Sequence, residues 1–121
     1  MADPSGNYTM LAKYVGYIQF SFNVDPATGV LSGTMGAGTD YESPAAGRWD
    51  DANSHITFHD GFAGEILNIH FFDGYVAFEE GADTIVALAG TYHDFRINVA
   101  GGSAEFNFDS GGWYALRTAT L

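Results

Sequence analysis

From Tyr17 to Val24 the side chains alternate: Ile18, Phe20, Phe22 and Val24 are apolar, while Gln19, Ser21 and Asn23 between them are polar. A period of two is what a half-buried strand imposes and what a helix cannot satisfy. Asp25-Pro26-Ala27-Thr28-Gly29 follows. Pro26 suits the first central position of a type I turn, and Gly29 the left-handed residue that closes a bulged hairpin. The chain is then expected to return over Val30–Gly36.

The same reading extends to the rest of the chain. Tyr8–Val15 is a strand ended by Gly16, and Ala37–Ala46, rich in Gly, Thr, Ser and Pro, is a loop. Gly47–Trp49 and His55–His59 are short strands around a turn at Asp50–Ser54. Asp60-Gly61 turns the chain into Glu65–Phe72, with Leu67, Ile69 and Phe71 on one face. Asp73-Gly74 is a tight turn into Tyr75–Glu79, and Gly81–Asp83 turns it again. Thr84–Tyr92, Phe95–Val99, Glu105–Asp109 and Trp113–Thr118 complete the series, with Gly101-Gly102 and Gly111-Gly112 as turns. No segment carries an apolar period of 3.6. Short strands with turn signals every 8–12 residues are the mark of an all-β barrel or sandwich. Tight turns between successive strands favour an antiparallel up-and-down β-barrel of about eight to ten strands, with a β-sandwich as the alternative. One domain is expected over residues 1–121.

Thr84–Tyr92 is apolar on both sides. Ile85, Ala87 and Ala89 alternate with Val86, Leu88 and Tyr92. A small barrel covers only its inner face, so the outer face of strand 84–92 is expected to meet a second copy of the chain, giving a homo-oligomer, or to lie under the Ala37–Ala46 loop.

Composition narrows the function. Sixteen glycines and an aromatic content of 16% fit a sheet protein, and the absence of cysteine removes disulfides, thiolate catalysis and zinc–cysteine sites. Fifteen acidic residues stand against four basic ones (Lys13, Arg48, Arg96 and Arg117), for a net charge of −11. Such a chain repels phosphate backbones and anionic membranes, so neither nucleic acid nor membrane is expected as a partner. The start MADPSGNYTM has no basic region followed by an apolar run, so no export signal is read and a soluble, cytoplasmic setting is expected. No run reaches the length of a membrane helix.

The chemistry-bearing residues form no recognisable motif. His55 and His59 share one strand face but stand roughly 13 Å apart, too far to share a metal ion. His59-Asp60 and His93-Asp94 are neighbours that point to opposite faces. Surface histidines and no metal site are the expectation. There is no calcium loop, no G-x-S-x-G serine and no phosphate loop, so no catalytic residue and no cofactor is assigned.

Two fragments carry a resemblance. Val30-Leu31-Ser32-Gly33-Thr34, after its turn, resembles the second hairpin of avidin-like barrels. Leu88-Ala89-Gly90-Thr91-Tyr92 with Gly112-Trp113-Tyr114-Ala115-Leu116-Arg117 resembles the late strands of calycin-type barrels, avidin-like or lipocalin-like. The resemblance implies an antiparallel barrel with one open end and a ligand inside. The calycin Gly-x-Trp of the first strand has no counterpart there; Gly47-Arg48-Trp49 lies mid-chain, and with two tryptophans in all no biotin-binding residue is carried over.

A non-enzymatic module binding a small apolar or aromatic molecule at one barrel end is therefore the leading expectation. Arg48 beside Trp49, Arg117 near Trp113 and Tyr114, and Tyr14 with Tyr92 are the candidate ligand-binding residues, because arginines and rings at a barrel mouth make a natural pocket. Two alternatives remain at this stage. One is a structural or protein-interaction module whose interior is filled by Phe20, Phe22, Phe58, Phe71, Phe106 and Phe108. The other is a small barrel enzyme using His with Asp or Glu.

Overall fold

The computed structural model describes residues 3–12, 16–36, 38–40, 42–62, 66–81, 84–98 and 105–118; the side chains of 16, 17, 61, 62, 66–68, 97, 98 and 105–108 lie outside that description. Eight antiparallel strands run in chain order: β1 (Gly6–Ala12), β2 (Gly16–Val24), β3 (Val30–Met35), β4 (Ser43–Asp50), β5 (His55–Phe62), β6 (Ile66–Phe78), β7 (Ile85–Asn98) and β8 (Glu105–Arg117). Each pairs with the next, and β1 pairs with β8 from Tyr8↔Arg117 to Ala12↔Trp113, so the sheet is a closed up-and-down barrel and not a sandwich. Among the described residues there is no helix, and none long and apolar enough to cross a membrane.

The Asp25–Gly29 turn forms as its sequence dictates. Gly29 takes φ 75°, its N–H bonds the Asp25 carbonyl at 2.8 Å, and the Asp25 carboxylate accepts from Ala27 N–H at 2.8 Å. Three other expected turns are strand instead. Asp73-Gly74 and Gly111-Gly112 lie inside β6 and β8, each fused from the two segments that flank them. Asp60-Gly61 extends β5, which stays separate from β6, and Thr84–Tyr92 likewise fuses with the segment after it into β7. Asp73, for example, has Thr57 on one side and Thr91 on the other, so ladder bonds in both directions hold it extended. The loop expected over 37–46 is likewise shortened, because Ser43–Ala46 pairs with β3.

Glycines inside the strands serve close packing. An eight-stranded barrel leaves an interior just wide enough for side chains, so a large ring needs a gap opposite. Phe22 lies across from Gly33, Phe58 from Gly47, and Trp113 from Gly90. A methyl group at Gly47 would stand 1.9 Å from the Thr57 carbonyl oxygen, and one at Gly90 equally 1.9 Å from that of Asp73. The rings left room in this way form one continuous stack. It runs from Tyr8 through Phe22, Phe20, Phe58 and Phe72 to Tyr92, with centroids 4.7–5.7 Å apart, and Trp113 meets Phe58 and Phe72 edge-on. Each such pair contributes about 0.5–1.5 kcal/mol beyond its burial.

Two facings differ from the simple alternation. On β6 the inner residues are His70 and Phe72, while Phe71 is 48% exposed. Register decides this: Phe72 stands opposite Phe58 inside the stack, and Phe71 opposite His59 outside. On β7, Ile85 and Leu88 are both buried although three residues apart. The register shifts at Ala77/Phe78, so Val86 is the extra residue of a β-bulge and points outward. Of the six phenylalanines expected inside, Phe20, Phe22 and Phe58 are there, and the side chains of Phe106 and Phe108 lie outside the described set.

Gly47→Ala or Gly90→Ala should destabilise the barrel by about 3 kcal/mol, the upper range of overpacking. Gly112→Ala, whose added carbon would have nothing nearer than 3.8 Å, should change stability by less than about 0.5 kcal/mol. Urea midpoints for the three variants check the contrast.

Candidate functional site

The two ends of the barrel differ in chemistry. At one end the β2–β3, β4–β5 and β6–β7 turns meet the first and last described residues, and the interior is plugged. Pro4 is fully buried, Tyr8 Oη donates to its carbonyl at 2.7 Å, and the Ser5 hydroxyl accepts from Val24 N–H at 2.9 Å. Arg117 at the end of β8 donates to the carbonyls of Ser5 and Ile85. Burial pushes the Tyr8 hydroxyl up to about 12. Asp3 is lowered, first by the Ser5 hydrogen bonds and to a lesser degree by Arg117. Outside this plug a pocket of about 230 Å³ is lined by Asp3, Asp25, Asp50, Asp51 and the Trp49 edge.

At the other end, polar side chains turn into the interior. The Ser43 hydroxyl donates to Asp60 Oδ2 at 2.9 Å, Asp60 Oδ1 takes a hydrogen bond from His70 Nδ1 at 3.0 Å, and His70 Nε2 lies 3.5 Å from Asp94 Oδ1. The four residues come from four consecutive strands, β4 to β7. Asp60 and His70 are register partners, as are His70 and Asp94, so the barrel itself lines them up. Their side chains retain little exposure: 7% for Asp60, 11% for His70 and 19% for Asp94. Asp94 Oδ1 is sealed from solvent and has no hydrogen-bond partner. A buried oxygen in that state costs about 1–3 kcal/mol, so it marks something other than packing.

His70 is poised to carry charge. Burial alone would lower its pKa, but the Asp60 hydrogen bond and the attraction of Asp60 and Asp94 outweigh it. Arg96 opposes them, and the net shift is upward from the ordinary value of about 6.5. The expectation of surface histidines therefore fails at His70, which is buried. The sequence signal was its place two residues before Phe72 on one strand face, readable only once the inner face of β6 is known. His55 bonds Asp73 at 2.8 Å on the outer wall, and His59 packs on Phe71. Among the described residues no three His, Cys, Asp or Glu side chains could hold a metal ion.

The residues singled out from sequence scatter. Trp113 and Tyr92 are buried in mid-barrel, Trp113 donating from Nε1 to the carbonyls of Thr91 (3.0 Å) and Asp73 (3.3 Å). Trp49 and Arg117 belong to the plugged end. Arg48 is exposed on the outer wall, facing away from its neighbour Trp49. Tyr14 lies outside the described residues. Trp113, Tyr92 and Phe72 form the apolar layer beneath the polar end.

No protein-family model matches the chain, and no curated protein matches its sequence. Solved structures do. The crystal structure of the rhizavidin–biotin complex is 13% identical with a TM-score of 0.58, over 96% of this chain and 97% of that one. A second rhizavidin crystal structure is 12% identical with a TM-score of 0.56, over 95% and 85%. The likeness is one of fold: the chain has the avidin-like, calycin-type barrel.

Because the folded pKa of His70 is raised, its contribution to stability is fully present below about pH 6.5 and is lost as pH rises through the folded value. Thermal midpoints of the wild type should fall across that window, and His70→Gln should flatten this part of the profile.

Proposed function

We propose that this avidin-like barrel is a non-enzymatic binding protein that takes a small molecule at the Ser43–Asp60–His70–Asp94 end. The observation that carries the reading is the unpartnered Asp94 oxygen inside an otherwise paired polar cluster. A fold that only needed a filled core would place apolar side chains there. Tyr92, Trp113 and Phe72 would supply the apolar surface beneath the ligand. The plug of Pro4, Tyr8 and Arg117 leaves the other end occupied by the chain itself. One crystal structure of the same fold is of a biotin complex, which supports a small molecule as the kind of ligand.

The cluster argues against nucleophilic catalysis. Ser43 gives its proton to Asp60 and not to His70, so the histidine does not activate it. On its other side His70 faces a second carboxylate.

The chain also self-associates in this reading, through the outer wall of β7, β8 and β1. Val86, Tyr114 and Leu116 are exposed there, and a groove of about 580 Å³ lies over Leu11, Ala89 and Tyr114. An apolar wall of this kind is normally covered in an assembly.

Native mass spectrometry of the protein purified without refolding tests both parts. A retained small molecule that disappears in Asp94→Asn supports the binding site, and bare protein in both refutes it. A dimer or larger species that becomes monomeric in a Tyr114→Lys/Leu116→Glu variant supports the wall contact; a wild-type monomer refutes it.

A further inference from the structure

The charges at the polar end do not balance. Asp60 and Asp94 bring two negative charges into a largely dry space, and His70, when protonated, returns one. Asp60 is satisfied on both oxygens, by Ser43 and by His70. Asp94 is not: its Oδ1 sits 3.5 Å from His70 Nε2, beyond a good hydrogen bond, and accepts none. The remaining 19% of its side chain that is accessible lies on atoms other than the sealed Oδ1, so a ligand meets Asp94 from that side. Arg96, two residues further along β7, is exposed, so solvent screens its charge. The chain as a whole carries −11, a field that gathers cations at such a site.

We propose that the ligand of this site is a small organic cation, an ammonium or amidinium whose N–H donors engage Asp94. The inference rests on the small-molecule reading above and specifies the ligand's class. A positively charged donor matches a carboxylate that is short of hydrogen bonds far better than a neutral or anionic group does. Binding is also coupled to the proton on His70, since a ligand cation supplies the charge that the imidazolium otherwise gives. The described charged groups that act on His70 are Asp60 on β5 and Asp94 and Arg96 on β7, with Ser43 on β4 held to Asp60. Cation affinity should therefore rise with pH as His70 loses its proton. His70's effect on stability runs the opposite way.

Isothermal titration of the full chain with benzamidine, its neutral analogue benzamide and the anion benzoate separates the possibilities. The expected result is saturable binding of benzamidine alone, weakened about tenfold or more in Asp94→Asn. Affinity should be higher at about pH 8 than at about pH 6, and that pH slope should vanish in His70→Gln. Circular dichroism of both variants confirms that they remain folded. Binding of benzamide or benzoate equal to that of benzamidine, unaffected by Asp94→Asn, overturns the cation class and leaves the small-molecule reading standing. No saturable binding of any of the three overturns the inference. The reading beneath it falls only if native mass spectrometry also finds bare protein.

Discussion

Closure of the sheet between β1 and β8 is the constraint on which the other features depend. Once that last ladder forms, no strand edge is left to solvent, and every inward residue must share one narrow interior. Bulk then has to be rationed position by position. Rings are admitted where the neighbouring strand carries a glycine, and the gaps at Gly33, Gly47 and Gly90 let the stack from Tyr8 to Tyr92 run across the barrel. The same narrowness gives polar residues weight. A carboxylate that would be unremarkable on a surface becomes costly inside, and a histidine between two carboxylates becomes the least expensive way to hold them there.

The barrel uses its two ends differently, and both uses follow from where charge is placed. At the plugged end Arg117 is satisfied by carbonyl oxygens, so the chain closes over itself, and Asp3, Asp25, Asp50 and Asp51 accept hydrogen bonds from residues beside them in the chain. At the other end the cluster faces inward, pinned by register across β4 to β7. Ring layer below and unsatisfied carboxylate above make a site with an apolar floor and a negative wall.

Much of the fold was legible in the sequence because alternation reports facing directly. β2 and the Asp25–Gly29 turn could be read residue by residue, and the all-β barrel followed from the spacing of strands. What could not be read was register. Asp73-Gly74 and Gly111-Gly112 carry the residues of turns, yet both lie within strands, and Gly74 answers to packing, since a methyl there would stand 2.7 Å from the Trp113 ring. Val86 takes the extra place in a bulge, which reverses the facing that alternation assigns to Ile85. The candidate site suffered for the same reason. Trp113 and Tyr92 stood out as rings and do lie beneath the polar end. His70, Asp60, Ser43 and Asp94 are spread over fifty-two positions, and only the ladder brings them together. Arginine beside tryptophan at 48–49 suggested stacking, but adjacent residues on a strand face opposite ways.

The central claim is that the interior is sealed by the β1–β8 ladder. Amide hydrogen exchange followed by NMR tests it most directly. The account predicts strong protection for amides along Tyr8–Ala12 and Trp113–Arg117, comparable to the β6–β7 ladder, with cross-strand contacts linking Met10 to Ala115. Rapid exchange along both strands, as at the free edges of an open sheet, would contradict it, and the dry polar site would lose its basis.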